Sequence, residues 1–333
     1  MALGVDGVRI GTWTAPGAVS GCTVVLPPSG SVGAMAVRGA APGTREAAAL
    51  SPAGKVDVCH AVVLAGGSAY GLAAADGVMR RLERDGIGYP VLGAVVPIVG
   101  AAIVLDAAVL DPSARPDAAA GEAAYDAARA DASLDEMLEG RVGAGAGCSV
   151  AKVAGLEHAW RGGQGIATRH AGGVSVGVVI VNNALGEIVD EQGRWVARAR
   201  VPDDAPRYPD AGPGAGPAPG ADDGNDGGRL ANTVIGAIVT DARLTKLEAY
   251  RVADLAHSGI ARAVRPAHTQ LDGDALFTIA TGTVDAGPAA VDLVAALAAD
   301  AVAEAVRRAV LTATGDATLP GLADRLADGQ PER

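Results

Sequence analysis

The sequence predicts an α+β protein with layered strands and helices, and three observations support this fold class. Short apolar runs bounded by glycine, proline or polar residues, such as 21–30 and 234–240, are typical of strands. From Leu72 to Leu82, apolar residues instead recur at helical spacing. Strands and helices also follow one another in groups, which favours α+β layers over a parallel doubly wound sheet.

Local residue patterns define the order of the elements. The first helix ends at Gly86 and carries arginines near its C-terminus, where they complement the helix dipole. Pro116 stands near the start of the next helical stretch, a position that proline favours. In chain order we expect a strand at 21–30, a strand, glycine turn and helix across 58–91, a helix across 112–138, a glycine-dense loop at 140–155, two strands across 172–197, a strand at 234–240, and helices at 245–264 and 288–313.

A segment rich in proline, glycine and aspartate, residues 202–228, separates two parts of the chain. It contains almost no apolar side chains that folding could bury, so we expect a mobile surface linker. It is the strongest boundary in the sequence. The length of 333 residues and the hydrophobic content of 49% are sufficient for a large core, in one domain or two.

Charge and composition exclude several classes of function. The net charge of −11 argues against nucleic acid or an anionic membrane as a partner, since both require a basic surface. The three cysteines are scattered and no Cys or His pair has metal-site spacing, so we predict buried apolar cysteines and no metal. The N-terminus lacks a secretory signal pattern and no apolar run predicts a membrane helix, so we expect a cytoplasmic protein.

Two glycine-rich loops, 64–71 and 143–147, invite comparison with nucleotide-binding loops. The first, LAGGSAYG, follows a strand and opens a helix, where backbone amides can bind an anion. Neither loop matches GxGxxG, or GxxxxGK followed by Ser or Thr, so a nucleotide site is disfavoured. The loops are either tight turns with close backbone packing or the lining of an active-site cleft.

Asn232 and Thr233 stand side by side where the polar segment gives way to an apolar run. Thr233 is either the ordinary first residue of a strand or, after a cut in front of it, a new N-terminus. In the second case its freed α-amino group, with a pKa of about 8, can act as the base that activates the hydroxyl. A flexible linker makes such a cut easier, because neither new end has to leave a packed core.

Several blocks of this sequence resemble, in the same order, the DmpA-type family of self-cleaving aminopeptidases. Within that family they are most similar to the nylon-oligomer (6-aminohexanoate-oligomer) hydrolases. The blocks are LAGGSAYGLAAADGV (64–78), GRVGAGAGCSVAKV (140–153), GGQGIATR (162–169), VVIVNNALGEIVD (178–190) and a C-terminal run that begins NTVIGAIVTDARLTK (232–246).

The resemblance carries expectations about fold and function. It implies an N-terminal-nucleophile hydrolase fold with αββα layers, cut into a large chain, 1–232, and a small chain, 233–333, that stay together as one domain. It also implies hydrolysis of small peptides or oligoamides without a cofactor, by a homotetramer of processed protomers.

The resemblance assigns the nucleophile to Thr233 and the cut to the Asn232–Thr233 bond. It assigns the family's lysine to Lys152 and its asparagine to Asn183, with Asn182 as the alternative. Asn183 would donate to the developing oxyanion, and Lys152 would disfavour the protonated α-amino group and orient the hydroxyl. From the residues alone, Lys152 is also typical of a solvated loop lysine, and Asn183 of a turn.

The family's acidic pair falls on Asp272 and Asp274 of LDGD. These residues would hold the arrangement in place or face the substrate amine, although Asp-Gly-Asp is also an ordinary turn. Tyr70 in the first glycine loop and Asn182 are expected to contact substrate. The implied chemistry does not require His268, for which we expect a structural role.

One departure from the family pattern concerns AAIVLDAA (101–108). The nylon-oligomer hydrolases have a tyrosine near the nucleophile in the corresponding segment, and here that position is Leu105, followed by Asp106. The missing hydroxyl makes activity on nylon oligomers a weaker expectation than amide hydrolysis in general.

Two other functions compete with the hydrolase interpretation. An ornithine acetyltransferase shares the fold and cleaves itself before a threonine, but would transfer an acetyl group between amines. An unprocessed relative would only bind small molecules through its glycine loops. Transfer to an amine acceptor without hydrolysis would identify the acetyltransferase. A chain that never cleaves itself would identify the binding protein.

Overall fold

Two five-stranded sheets lie face to face between two layers of helices. The computed structural model describes residues 3–106, 111–130, 138–202, 204–205 and 232–329. Nearly all of the predicted linker, and residues 131–137 of the predicted helix at 112–138, lie outside the described residues.

The strands of the described residues include every segment that the sequence predicted as a strand. They are β1 (Arg9–Thr14), β2 (Gly21–Leu26), β3 (Val32–Val37), β4 (Thr44–Arg45), β5 (Ala61–Ala65), β6 (Tyr89–Val91), β7 (Ala94–Val96), β8 (Val99–Ile103), β9 (Ser149–Val150), β10 (Trp160–Arg161), β11 (Gly163–Ala171), β12 (Val174–Asn183), β13 (Glu187–Val189), β14 (Trp195–Ala197), β15 (Thr233–Ala242), β16 (Val264–Arg265) and β17 (Ala275–Val284).

The helices α2 and α3 begin at residues whose side chains satisfy free backbone amides. The helix α3 begins with a capping box, in which Thr245 and Glu248 bond to each other's backbone amides. Asp117 caps α2 by accepting a hydrogen bond from the Ala120 amide. The α-helices are α1 (Ala74–Arg84), α2 (Ala118–Arg129), α3 (Lys246–Ala263), α4 (Ala290–Leu311) and α5 (Leu322–Ala327).

The strand order places β15 in the interior of the second sheet. The first sheet has the order β1-β2-β5-β8-β4 and the second has the order β11-β12-β15-β17-β3. The strand β15 pairs antiparallel with β12 and parallel with β17. Thr233 is the first residue of β15, so the prediction that a strand begins at the junction is confirmed.

Three apolar layers hold the sheets and helices together. Side chains such as Val25, Leu64 and Ile235 pack between the sheets. Val78 of α1 packs on the outer face of the first sheet, and Val302 of α4 packs on the outer face of the second. The order helix, sheet, sheet, helix confirms the expected αββα layering. Because each sheet is covered on both faces, interior strands such as β5 (AVVLA) and β8 (VGAAI) are apolar throughout.

Three further expectations from the sequence concern the cysteines, membrane-spanning helices and metal sites. All three cysteines, Cys22, Cys59 and Cys148, are free and buried, as predicted. Across the described residues, the helices are too short or too polar to cross a membrane. The same residues contain no group of three or more histidines, cysteines and acids that could hold a metal ion.

Candidate active site

Thr233 and Asn183 are direct partners in the ladder between β15 and β12. Residues that lie opposite each other in an antiparallel pair direct their side chains to the same face. Ile235 of β15 and Val181 of β12 pack between the two sheets. Because strand side chains alternate, Thr233 and Asn183 therefore face this intersheet layer at its end. Both are buried, with exposures of 4% and 1%.

The peptide unit between Asn232 and Thr233 is held at several points. The Asn232 amide donates to the Leu271 carbonyl over 3.1 Å, and the Asn232 carbonyl accepts from the Gly273 amide over 2.8 Å. The Thr233 hydroxyl also donates to that carbonyl oxygen. The nucleophile candidate thus lies against the carbonyl group that self-cleavage would attack.

Gly273 approaches this peptide unit more closely than any residue with a side chain could. A Cβ atom at this position would lie 3.0 Å from the Thr233 hydroxyl oxygen and 2.6 Å from the Ala41 carbonyl oxygen. Glycine therefore allows the backbone amide to reach the Asn232 carbonyl. The sequence analysis assigned no role to Gly273, although a glycine between two acids of interest was a usable signal.

Lys152 is buried, with 3% exposure, so the interpretation as a solvated loop lysine is wrong. Its Nζ atom donates to the Asn183 carbonyl over 2.9 Å, next to Thr233 in the ladder. Burial lowers the pKa of the Lys152 ammonium to about 7, although nearby Cys148, Asp272 and Asp106 act in the opposite direction. At neutral pH a substantial fraction of this amine is uncharged and able to accept a proton.

The side chain of Asn183 is fixed in its orientation by two partners. Its Oδ1 accepts from the Ser149 amide over 3.0 Å, and its Nδ2 donates to the Leu105 carbonyl over 2.9 Å. The Ser149 contact assigns oxygen and nitrogen, because a backbone amide can only donate. An amide nitrogen carries two hydrogens, and within the described residues Leu105 accepts one of them, so the other can donate to a substrate oxygen.

Asn182 points to the opposite face of the sheet. Its Nδ2 donates to the Val306 carbonyl of α4 over 3.0 Å, and its Oδ1 accepts from the Ala184 amide over 3.2 Å. The structure therefore separates the two asparagines that the sequence analysis kept as alternatives. Asn183 lies beside Thr233, and the position of Asn182 favours packing against the helix layer over the predicted contact with substrate.

The two acids of LDGD support the strand that carries Thr233. Asp274 accepts from the Val234 amide over 2.7 Å through Oδ1, and its Oδ2 lies 2.7 Å from Nδ1 of His268. Asp272 forms a bridge with Asn232, and its side chain accepts from the Thr269 amide over 2.7 Å. Burial and the charge of Asp274 raise the pKa of Asp272.

Asp106 is a buried acid near this site to which the sequence analysis gave no role. It accepts from the Ser20 hydroxyl over 2.8 Å and from the Gly67 amide over 2.9 Å. The first glycine loop does bind an anion through its backbone, as its position suggested, but the anion is a carboxylate of the chain itself. Asp106 also follows Leu105, whose carbonyl accepts a hydrogen bond from the Asn183 side chain.

Tyr70 lies on the outer side of the same loop. Its side chain is 64% exposed, and the Arg115 guanidinium lies 3.9 Å from the centre of its ring. This contact belongs to the surface beside the Gly67 turn. The predicted contact of Tyr70 with substrate stays a prediction.

The αββα layering defines the class of fold, that of the Ntn hydrolases. Two solved structures are similar over nearly the whole chain. A β-aminopeptidase of Burkholderia sp. has a TM-score of 0.70 at 20% identity and covers 97% of this chain and 91% of its own. The L-aminopeptidase D-Ala-esterase/amidase of Ochrobactrum anthropi, described as a variant of the Ntn-hydrolase fold, has a TM-score of 0.67 at 20% identity and covers 98% and 93%.

The sequence comparison identifies the family. Residues 3–322 match peptidase family S58, and the chain belongs to this family. An uncharacterized aminopeptidase of Mycobacterium tuberculosis is 41% identical over 343 residues, which cover 96% of each chain. The 6-aminohexanoate-oligomer endohydrolase of Paenarthrobacter ureafaciens is 33% identical over 285 residues, covering 84% of this chain and 74% of its own. The protein is therefore a hydrolase of peptide or other linear amide bonds, as the sequence predicted.

Proposed function

We propose that this chain is a self-processing amide hydrolase that cuts itself between Asn232 and Thr233 and then uses Thr233 as an N-terminal nucleophile. Cleavage would give a large chain of residues 1–232 and a small chain of residues 233–333. The contact of the Thr233 hydroxyl with the Asn232 carbonyl, which also receives the Gly273 amide, carries the proposal.

The self-cleavage step requires a base other than the α-amino group of Thr233, which is still part of a peptide bond. Lys152 suits this step because its pKa of about 7 leaves a neutral amine at working pH. The hydroxyl of Thr233 attacks the Asn232 carbonyl carbon, and the Gly273 amide stabilises the oxyanion. The C–N bond breaks, the nitrogen of Thr233 takes a proton, and water hydrolyses the resulting ester.

In turnover, the freed α-amino group of Thr233 takes the proton from its own hydroxyl. The hydroxyl oxygen attacks the substrate carbonyl, and the free hydrogen on Nδ2 of Asn183 donates to the oxyanion. The amine returns the proton to the leaving amine, and an acyl-enzyme ester remains. Water then hydrolyses that ester. When Lys152, near the new N-terminus, is itself protonated, its charge disfavours the protonated α-amino group and keeps that group available as a base.

Small peptides or oligoamides are the proposed substrates. The relatives named as an aminopeptidase and as a 6-aminohexanoate-oligomer endohydrolase support this class. By the resemblance, Leu105 stands where the nylon-oligomer hydrolases have a tyrosine, so we expect amide hydrolysis in general more strongly than activity on nylon oligomers. We also propose a cytoplasmic homotetramer of processed protomers, without a cofactor.

Denaturing mass spectrometry of the wild type and two Thr233 variants tests the proposal. We expect the wild type to give two chains, one ending at Asn232 and one beginning at Thr233. Thr233→Ala should remain one chain and show no hydrolysis of alanine p-nitroanilide or short peptides, because one hydroxyl performs both steps. Thr233→Ser keeps the hydroxyl and should mature.

Thr278→Ala is a matched control, because Thr278 is also a buried threonine in the second sheet. That variant should still mature and hydrolyse. A wild-type chain that never matures would contradict the proposal and favour an unprocessed binding protein. Maturation followed by acyl transfer to an amine without hydrolysis would favour the acetyltransferase alternative.

A further inference from the structure

Both ring nitrogens of His268 face hydrogen-bond acceptors. Nδ1 lies 2.7 Å from Oδ2 of Asp274, and Nε2 lies 3.3 Å from the carbonyl oxygen of His257 in α3. A neutral imidazole has one donor and one acceptor nitrogen, so it could satisfy only one of these contacts. The imidazolium form has two donors and satisfies both. The geometry therefore favours a positively charged His268.

The carboxylate that His268 contacts is the one that holds the strand after the nucleophile. Asp274 accepts from His268 through Oδ2 and from the Val234 amide through Oδ1. The backbone amide of His268 also donates to Oδ2, over 3.3 Å. Val234 is the residue that follows Thr233. The chain of contacts His268–Asp274–Val234 thus ends one residue from the proposed nucleophile.

We propose that His268, in its imidazolium form, is a positioning residue for the hydrolase. It holds the Asp274 carboxylate against the Val234 amide and so fixes Thr233 at the end of the intersheet layer. The inference rests on the proposed function of Thr233. It replaces the purely structural role that the sequence suggested, and it implies that activity depends on a proton carried by His268.

Among the described residues, three titratable side chains interact with His268, and the charged Arg38 interacts with its neighbour His257. Asp274 and Asp272 belong to its own segment, His257 belongs to α3, and Arg38 lies at the end of β3 near His257. The two histidine rings are 5.1 Å apart and meet edge to face. Burial lowers the pKa of His257 to about 4, so His257 remains neutral and does not repel the imidazolium.

The direction of the pH effect follows from the balance of these groups. Burial acts to lower the pKa of His268, but its hydrogen bond to Asp274 and the charge of that carboxylate raise it above the ordinary value of 6.5. A histidine with a raised pKa keeps its pairing at low pH and loses it as pH rises through the folded-state pKa. Hydrolysis should therefore decline on the alkaline side when His268 loses its proton.

Two substitutions at His268 separate positioning from folding. His268 has a φ of 56°, a conformation that asparagine and glycine tolerate well, so neither change strains the backbone. His268→Asn keeps an uncharged donor that can reach Asp274. His268→Gly removes the donor. Thr233→Ala serves as the inactive reference, and thermal unfolding of each variant verifies that it folds.

We expect kcat of His268→Gly to fall about 10- to 100-fold, with a smaller change in KM, because the nucleophile is held less firmly. His268→Asn should be about tenfold more active than His268→Gly at neutral pH and should lack the alkaline decline of the wild type. A His268→Gly variant within twofold of the wild type, or an alkaline decline that persists in His268→Asn, would overturn the positioning role.

NMR titration of the histidine ring signals separates this inference from the proposed function. We expect the pKa of His268 to lie above 6.5 in the mature wild type and to fall in Asp274→Asn. If the wild type matures and hydrolyses amides but His268 titrates at or below 6.5, only the role of His268 is wrong. If the wild type neither matures nor hydrolyses, the proposed function fails and this role fails with it.

Discussion

Two buried lysines hold two different regions of this molecule. Lys246 lies at the start of α3, and its Nζ donates to the carbonyls of Ala49, Gly54 and Val56, each over 2.7 Å. Lys152 lies after the second glycine loop, and among the described residues its Nζ donates one hydrogen bond, to the Asn183 carbonyl over 2.9 Å. An ammonium group has three donors, so within the described part of the chain Lys246 has a partner for each donor and Lys152 has a partner for one.

The different hydrogen-bond partners of the two Nζ atoms indicate different roles for the two amines. Three carbonyls replace the water that Lys246 loses, and the loop before β5 is tied to α3 as a result. Burial lowers the pKa of Lys246, but it lowers that of Lys152 to about 7. One buried lysine therefore acts as a packing element, whereas the other is suited to exchange a proton near Thr233.

Replacing each lysine with methionine is the most direct test of these different roles. Lys152→Met removes the proposed base, so we expect self-cleavage and amide hydrolysis to fall by roughly 100-fold or more. Lys246→Met leaves three buried carbonyls without their donor, so we expect the free energy of unfolding to fall by roughly 3 kcal/mol while the folded fraction still matures. Gel analysis of maturation, kcat and denaturant unfolding measure these effects.

A methionine matches the length and apolar stem of lysine, so the two variants serve as controls for each other. If Lys152→Met matured at the wild-type rate, Lys152 would not be the base of self-cleavage. If Lys246→Met were as stable as the wild type, its three hydrogen bonds would contribute nothing net to folding.

From the sequence, Thr233 was a candidate by its position in the chain, and Lys152 entered the candidate site only through the resemblance to the family. Thr233 follows a polar linker and begins an apolar run, and Lys152 is the lysine that ends a glycine loop. Neither observation shows which side chains meet. The pairing of Asn183 with Thr233, and not of Asn182, depends on the register between β12 and β15, which only long-range strand pairing determines.

The residues that the sequence analysis missed act through backbone contacts or through distant segments. Gly273 contributes an amide, which every residue except proline has, and only its closeness to Thr233 distinguishes it. Asp106 binds Ser20 and Gly67, which are 86 and 39 residues away along the chain. A buried acid that supports a loop, such as Asp106, cannot be recognised from composition, because its partners come from distant segments of the chain.

Variants of the two neighbouring asparagines test whether a catalytic role and a packing role can be told apart. Asn183→Ala should still mature but lower kcat by about 100-fold, because it removes the proposed oxyanion donor of turnover. Asn182→Ala should leave kcat within a few-fold but lower the free energy of unfolding by about 1–2 kcal/mol, since the Val306 carbonyl loses its partner in the core. Steady-state kinetics and denaturant unfolding of both variants measure this difference.

Each asparagine variant is the matched control of the other, since both delete the same amide one residue apart. Equal losses of kcat would contradict the assignment of Asn183 to the reacting face of the sheet. In that case backbone amides, such as that of Gly273, would have to stabilise the oxyanion alone.

The pH dependence of the free energy of unfolding reports the pKa of the buried Lys152 amine independently of catalysis. In the unfolded chain the pKa returns to about 10.5, and in the folded protein it is about 7. Between these values the unfolded state binds one more proton than the folded state, so the free energy of unfolding rises with pH. The single-site limit is about 1.4 kcal/mol per pH unit.

The measurement uses Thr233→Ala, which we expect to remain one chain, with and without Lys152→Met. Denaturant unfolding at two pH values between 7.5 and 9 should give a steeper rise of the free energy of unfolding in the variant that keeps Lys152, by about 1 kcal/mol per pH unit. The difference between the two variants cancels the contributions of the other titrating groups. Equal slopes would mean that Lys152 stays charged when buried. Its ammonium group would then need hydrogen-bond partners comparable to the three carbonyls around Lys246.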